Sequence, residues 1–367
     1  MNPKPLTHEQ IRSAPKVVLH EHLDGGLRPQ TLIELAHEIG HTLPANEPEA
    51  LANWFFDAAN SGTLERYLET FAHTVAVLQT PEHCFRVASE AAQDLAADGV
   101  VYAEIRYAPE QQLLGGMSLE AVVEATLAGF AEGERLAQEA GNPIIARTIL
   151  CGMRHADRTL EIAQLAAAYR DKGVVGFDIA GGEIGNPPER HLPAFTYLRH
   201  VSMPFTIHAG ESVGTPSIKG AVAVCGASRI GHGIKLMEDI DLSSDEPRLG
   251  RVADYIRDRR IALEVAPSSN LQTGGAKTLA EHPIKQLFDL GFRVTVNNDN
   301  RLMSRTHTSR EFQRLSETFG WGWAEVRRCT ENAIKASFLH YPERRRILEA
   351  VIRPAYAALE ASESDSE

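Results

Sequence analysis

Eight short runs rich in β-branched residues recur along the chain, each ending in polar or glycine-rich residues and separated from the next by sequence of helical apolar spacing. They are KVVLHEHLDG (16–25), GVVYAEIRYAP (99–109), IIARTILCGMR (144–154), GVVGFDIAGGE (173–183), MPFTIHAGE (203–211), SRIGHG (228–233), RIALEVAPSSN (260–270) and FRVTVNNDN (292–300). Between the second and third, SLEAVVEATLAGFAEGERLAQEAG predicts an amphipathic helix closed by Gly141, and DRTLEIAQLAAAYRDKG predicts another ending at Gly173. Strands alternating with helices in this way predict an α/β fold, a parallel (β/α)8 TIM barrel. A doubly wound open sheet is the alternative. It would usually advertise a glycine-rich phosphate turn after an early strand, and neither G-x-G-x-x-G nor a P-loop is present.

Such a barrel takes about 250 residues, leaving on the order of 100 for additions. Most of the excess lies between the first two runs, which predicts a helical cap over the barrel mouth at about 28–98. Its aromatic cluster, Trp54, Phe55 and Phe56, is either the core of that cap or an apolar wall of the pocket. Residues 1–360 read as one barrel domain, and the final ASESDSE (361–367) as a disordered acidic tail.

At 43% hydrophobic and 23% charged, the composition is that of a globular chain and excludes long disorder. The formal charge of −12 disfavours nucleic acid and anionic membrane as partners, so a small or uncharged ligand is expected. Cys84, Cys151, Cys225 and Cys329 lie far apart without a C-x-x-C pair, which argues against a disulfide framework or a thiolate metal site and fits a reducing compartment. The polar start MNPKPLTHEQ and the lack of any run near 18 apolar residues predict neither secretory signal nor membrane span, and hence the cytoplasm. The pattern leaves the oligomeric state open.

A parallel barrel keeps its active site at the C-terminal ends of its strands. The first run carries His20, His22 and Asp24 there, the fifth His208 and Glu211, the sixth His232, and the eighth Asp299 and Asn300. Residues two apart on a strand point the same way, so His20 and His22 both aim into the mouth, as consecutive metal ligands must. Alone, H-x-H is weak: with 15 histidines, chance supplies about 0.6 such pairs. His208 and Asp299 raise the signal to three imidazoles and one carboxylate, a donor set that suits Zn²⁺, with Fe²⁺, Co²⁺ or Mn²⁺ as alternatives. One ion would lower the pKa of its water from 15.7 to about 7. Beside it, Glu211 is placed to protonate a substrate atom and His232 to accept or orient the water's proton; in isolation they would read as a surface carboxylate and a structural histidine. Arg106, Arg154 and His155 read as buried ion pairs or hydrogen bonds, and Ser268, Ser269 and Asn270 as residues that orient ligands.

HEHLDGGLRPQTL, DIAGGE, HAGE, SRIGHG, PSSNLQTG and VNNDN occur in this order over nearly the whole chain, which resembles the adenosine deaminase family of metal-dependent hydrolases. The resemblance implies hydrolytic, zinc-dependent deamination of adenosine and 2′-deoxyadenosine to inosine and 2′-deoxyinosine with release of ammonia, within purine salvage. It implies one zinc ion held by His20, His22, His208 and Asp299. Glu211 would protonate purine N1, and His232 with Asp299 would orient or deprotonate the water that attacks C6. Gly181 would offer its N–H to purine N3, Asp24 would accept a hydrogen bond from the ribose 5′-hydroxyl, and His22 also lies near the sugar.

Two positions depart from the common family pattern. Asn300 stands where many members carry a second aspartate toward purine N7; an amide donates to N7 without a change of charge state. Ala266 stands where many carry Cys, and nothing in the sequence explains it. Other readings keep the chemistry but take adenine, an N6-substituted adenine or aminodeoxyfutalosine, or keep the metal without turnover. The intact Glu211, His232 and ligand set argue against the last. A two-metal hydrolase is disfavoured because the fourth run ends in DIAGG rather than a bridging lysine, and the H-x-E…P-C-x-x-C signature of base deaminases acting on nucleic acid is missing.

Overall fold

The structure is a computed structural model that describes residues 5–244 and 246–364. All the expected strands form: β1 Lys16–His22, β2 Val100–Tyr107, β3 Ile145–Met153, β4 Val174–Ala180, β5 Thr206–Ala209, β6 Arg229–His232, β7 Ala262–Val265 and β8 Arg293–Val296. They pair in parallel as two four-stranded sheets, β1 to β4 and β5 to β8. Short bridges join the halves, Phe177 with Phe205 at one seam and Glu21 with Asp299 at the other, so the sheet closes into a barrel. Every residue of β1 is buried, the polar ones included, because a barrel strand is covered by side chains inside and by helices outside.

Five helices separate β1 from β2: α1 Pro29–Ile39, α2 Pro48–Ala59, α3 Leu64–Glu69, α4 Phe71–Val77 and α5 Pro81–Ala97. Proline opens α1, α2 and α5, where its missing N–H costs nothing, and the Thr80 hydroxyl caps α5 by accepting from the His83 N–H. Phe55 is wholly buried and Trp54 packs partly buried against the core, while Phe56 is exposed; none of the three lines the active-site cavity, so the cluster serves the core and not the pocket wall. One hydrophobic cluster runs through barrel and insertion together.

The helix α6, Leu119–Glu139, has Ser118 as its cap and lies unusually close to α5. Gly129 and Gly133 make that approach: a Cβ at Gly129 would strike Phe85 O and sit 2.8 Å from Ala88 Cβ, and one at Gly133 would sit 2.5 Å from Ser89 O. The helix after β3 ends at Ala168, short of the expected Gly173. A small antiparallel pair, Ile240–Asp241 with Arg248–Leu249, was not anticipated. The last helix, Arg353–Ser364, continues four residues into the stretch expected to be disordered, and 365–367 lie outside the described residues. No helix among the described residues is long and apolar enough to cross a membrane.

Candidate active site

The strand ends bring the expected side chains together. His22 Nε2 lies 3.3 Å from His208 Nε2 and 3.4 Å from Asp299 Oδ1, and His20 Nε2 lies 3.4 Å from the same oxygen. Ligand atoms of His20, His208, His232 and Asp299 all fall within 4.8 Å of one another, and His22 joins this group through His208 and Asp299. Asp299 reaches it because the backbone beyond β8 is zipped to the end of β1: His22 N donates to Asp299 O (2.7 Å) and Asp299 N to His20 O (3.0 Å). Asn297 reinforces this, its Oδ1 accepting from the Leu19 and His20 N–H groups. Both Asp299 (φ 60°) and His232 (φ 62°) sit in the left-handed region, a conformation that costs on the order of 1–3 kcal/mol and persists where surroundings enforce it.

The far nitrogens of two histidines are held by carboxylates. His20 Nδ1 lies 2.9 Å from Glu264 Oε2 and His208 Nδ1 2.8 Å from Asp178 Oδ2, the arrangement that fixes the orientation of a metal-binding imidazole. Arg106 ties these carboxylates together, 2.5 Å from Asp178 and 2.8 Å from Glu264, and Arg229 bridges Glu264 and Glu104 at 2.6 Å each. Burial pushes against ionisation of Glu264, but Arg106 and Arg229 hold it well below the usual range. Arg106 therefore takes the expected buried ion-pair role. Arg154 is buried as well but pairs with backbone, donating to His208 O at 3.1 Å, whereas His155 is exposed at the pocket wall.

Glu211 and His232 face each other, with Oε2 3.6 Å from Nε2. Burial, then the charge of Asp299, pushes Glu211 up to about 8, and burial pushes His232 down to about 4. Near neutral pH one is a protonated acid and the other a neutral imidazole. Its tautomer follows from a chain of hydrogen bonds. The Ile284 N–H donates to His282 Nδ1 (3.1 Å), which leaves the ring proton of His282 on Nε2, facing Asn270 Oδ1 at 3.3 Å. Asn270 must then turn its Nδ2 to His232 Nδ1 (3.0 Å), so the proton of His232 sits on Nε2. Ser269 donates to Asp299 Oδ2 at 2.5 Å, whereas Ser268 turns away, accepting from Arg314 outside the site.

The pocket over this cluster has a volume of about 200 Å³. Asp24, Gly181 and Asn300 line it with His22, His208, Glu211, His232 and Asp299, so the expected site residues converge. Asp24 is buried with Oδ1 unpartnered, and Asn300 also has an unpartnered buried oxygen. Gly181 takes φ 107°, which only glycine adopts freely, and presents bare backbone to the cavity.

With this geometry in hand, comparison decides the lineage: residues 15–354 match the adenosine deaminase family. The chain belongs to the adenosine deaminase family. It is 56% identical over 361 residues to the adenosine deaminase of Mycobacterium avium (strain 104), covering 97% of this chain and 99% of that one. In fold it is similar to the adenine deaminase from Arthrobacter aurescens (TM-score 0.81, 24% identity, 95% and 99% covered). It is likewise similar to an amidohydrolase from Burkholderia ambifaria with bound Zn (TM-score 0.83, 22% identity, 98% and 96% covered). This family member is thus a hydrolase of C–N bonds with a His/Asp group that could hold a metal.

Several functional residues of this deaminase-family site escaped the sequence reading. Glu183, at the end of DIAGGE, accepts from the N–H groups of Gly210, Glu211, Ser212 and Val213 at 2.7–3.2 Å and so fixes the turn that carries Glu211. Leu64, Tyr67, Leu68 and Phe71 supply an apolar wall from α3 and α4, with the buried Tyr67 hydroxyl unpartnered. A carboxylate that caps a loop backbone has no spacing signature. The apolar wall was legible only as helical periodicity.

Proposed function

We propose that the protein hydrolyses the 6-amino group of adenosine and 2′-deoxyadenosine, releasing ammonia and leaving inosine and 2′-deoxyinosine, as a purine-salvage enzyme. What carries the reading is Glu211 facing His232 at 3.6 Å beside the His/Asp cluster, its carboxyl pushed up by burial, in a chain 56% identical to an adenosine deaminase. We assign His20, His22, His208 and Asp299 as ligands of one Zn²⁺. The buried His20 Nε2 has no hydrogen-bond partner, and the donor set is free of thiolates. His232 is left out because its Nε2 carries a proton. When bound, the ion supplies a water acidic enough to react near neutral pH, with a pKa of about 7.

The residues divide the remaining work. Glu211 gives its proton to purine N1 as the water oxygen adds to C6. His232 donates its Nε2–H to that oxygen and holds it; the lone pair of the ring is turned to Asn270, so accepting the water's proton falls to Asp299, which returns it to the departing amino group. The second water proton restores Glu211 as C6 becomes a carbonyl. The Gly181 N–H meets N3, Asn300 donates to N7, and Asp24 and His22 meet the sugar. No Lys or Arg lines the pocket among the described residues, which together with Asp24 favours a neutral nucleoside over a nucleotide. The four cysteines are free and buried, in keeping with a reducing cytoplasm.

The test is turnover of zinc-loaded protein on adenosine, 2′-deoxyadenosine, adenine, an N6-substituted adenine and aminodeoxyfutalosine, followed by ultraviolet absorbance and ammonia release. The expected outcome is kcat/KM on adenosine of about 10⁵ M⁻¹s⁻¹ or more, with Glu211→Gln keeping the metal and losing about 10²-fold or more in kcat. Faster turnover of adenine, the N6-substituted adenine or aminodeoxyfutalosine overturns the substrate assignment, and an unchanged kcat in Glu211→Gln removes the proton donor.

A further inference from the structure

A second cleft, of about 830 Å³, opens at the opposite end of the barrel, where β3, β4, β7 and β8 begin. Its charge is unlike that of the chain. Seven lining residues are Arg or Lys and two are acidic, in a protein whose formal charge is −12. Arg147 and Lys335 have carboxylate partners, Glu134 and Glu331. Arg170, Arg259, Arg260, Arg293 and Arg344 have none among the described residues. Three of these arginines are tied to carbonyls that fix their stems without neutralising them: Arg170 donates to Ser202 O (2.9 Å), Arg260 to Gly291 O (2.5 Å) and Arg344 to Lys335 O (3.0 Å).

Arg293, the first residue of β8, is the sharpest case. It is half-buried, and its Nε is buried with no hydrogen-bond partner. Burial, and then the charges of Arg260 and Arg344, hold its pKa below the ordinary arginine value. Like charges gathered in a half-buried cleft repel each other, and an anion relieves that repulsion directly. Guanidinium is suited to the task, because its planar fork meets phosphate oxygens in pairs.

We infer that this cleft is a binding site for an oligophosphate anion, borne either by free polyphosphate or by a nucleoside polyphosphate. The cleft volume lies within the span usual for small-molecule sites. Four half-buried guanidiniums converging from different segments match a ligand with several phosphate groups better than a single phosphate. The site is separated from the catalytic pocket by the length of the barrel strands, so the two can be filled independently.

The experiment is equilibrium binding of inorganic tripolyphosphate and of UTP to the zinc-loaded enzyme near physiological salt, with Arg293→Met as the comparison. UTP avoids the purine pocket. The Arg293 side chain makes no hydrogen bond or ion pair among the described residues and Met keeps the packing of its aliphatic stem, and both proteins carry the same metal, so a difference between them is not chelation. One anion per chain is expected, weakened at least tenfold by Arg293→Met. Arg259→Gln, at the exposed rim, provides a second variant and is expected to weaken binding severalfold. Tighter UTP than tripolyphosphate identifies a nucleotide as the ligand, and equal affinity identifies the phosphate chain alone. Absence of saturation at millimolar anion, or equal affinity of wild type and Arg293→Met, overturns the site.

Discussion

His232 sits in a backbone conformation that few non-glycine residues adopt, and its proton is placed by residues that do not line the pocket. The Ile284 N–H, His282 and Asn270 set that proton on Nε2 in sequence. Asn270→Asp keeps the shape and still accepts from His282, but it offers His232 an acceptor and draws the proton to Nδ1. A loss of about 10²–10⁴ in kcat is expected, the scale of a misplaced general acid–base or tautomer, with KM and zinc content within a few-fold of wild type. A kcat within threefold of wild type would remove the tautomer argument. Chemical side chains at strand ends were legible because a barrel gathers those ends at one place. Asn270 was legible as a neighbour of the site but not in its task, which depends on His282 twelve residues on and on one backbone N–H.

At the scale of elements, the barrel strands were legible because each is covered on both sides and so reads as a short run with β-branched residues that ends in polar or glycine-rich sequence. The pair Ile240–Asp241 and Arg248–Leu249 was not, since two-residue strands have no period to detect. The aromatic triplet of α2 was ambiguous for a related reason: periodicity shows that a face is buried but not what it is buried against. Gly129 and Gly133 illustrate a third limit. They look like defects in a helix, yet they let α6 lie on the backbone of α5. Gly129→Ala gains helix propensity of about 1 kcal/mol but places a methyl on a carbonyl that belongs to a 17-residue helix and cannot yield alone. Overpacking of this kind costs about 1–3 kcal/mol, so a lower urea midpoint with unchanged KM for adenosine is expected. A raised midpoint would show that α5 and α6 part easily.

Across the whole molecule, the two four-stranded half-sheets meet in short bridges rather than full ladders, and site residues stand at both joints. At one, Asp178 of β4 takes His208 of β5; at the other, Asp299 beyond β8 meets His20 and His22 of β1. An ion held by His20, His22, His208 and Asp299 therefore draws two ligands from each half. Bound there, it would be a clasp as well as a reagent. The ligands His20 and Asp299 come from opposite ends of the chain, so no partly made barrel can assemble the set, and metal uptake should report ring closure during refolding. Removing the metal should quicken amide hydrogen exchange first at Leu19–His22 and around Asp299, ahead of the centres of β2, β3 and β7. Uniform acceleration would mean that the ion stabilises the fold without fastening its seams. On this view the last event in building the barrel and the first in building the catalyst are the same one.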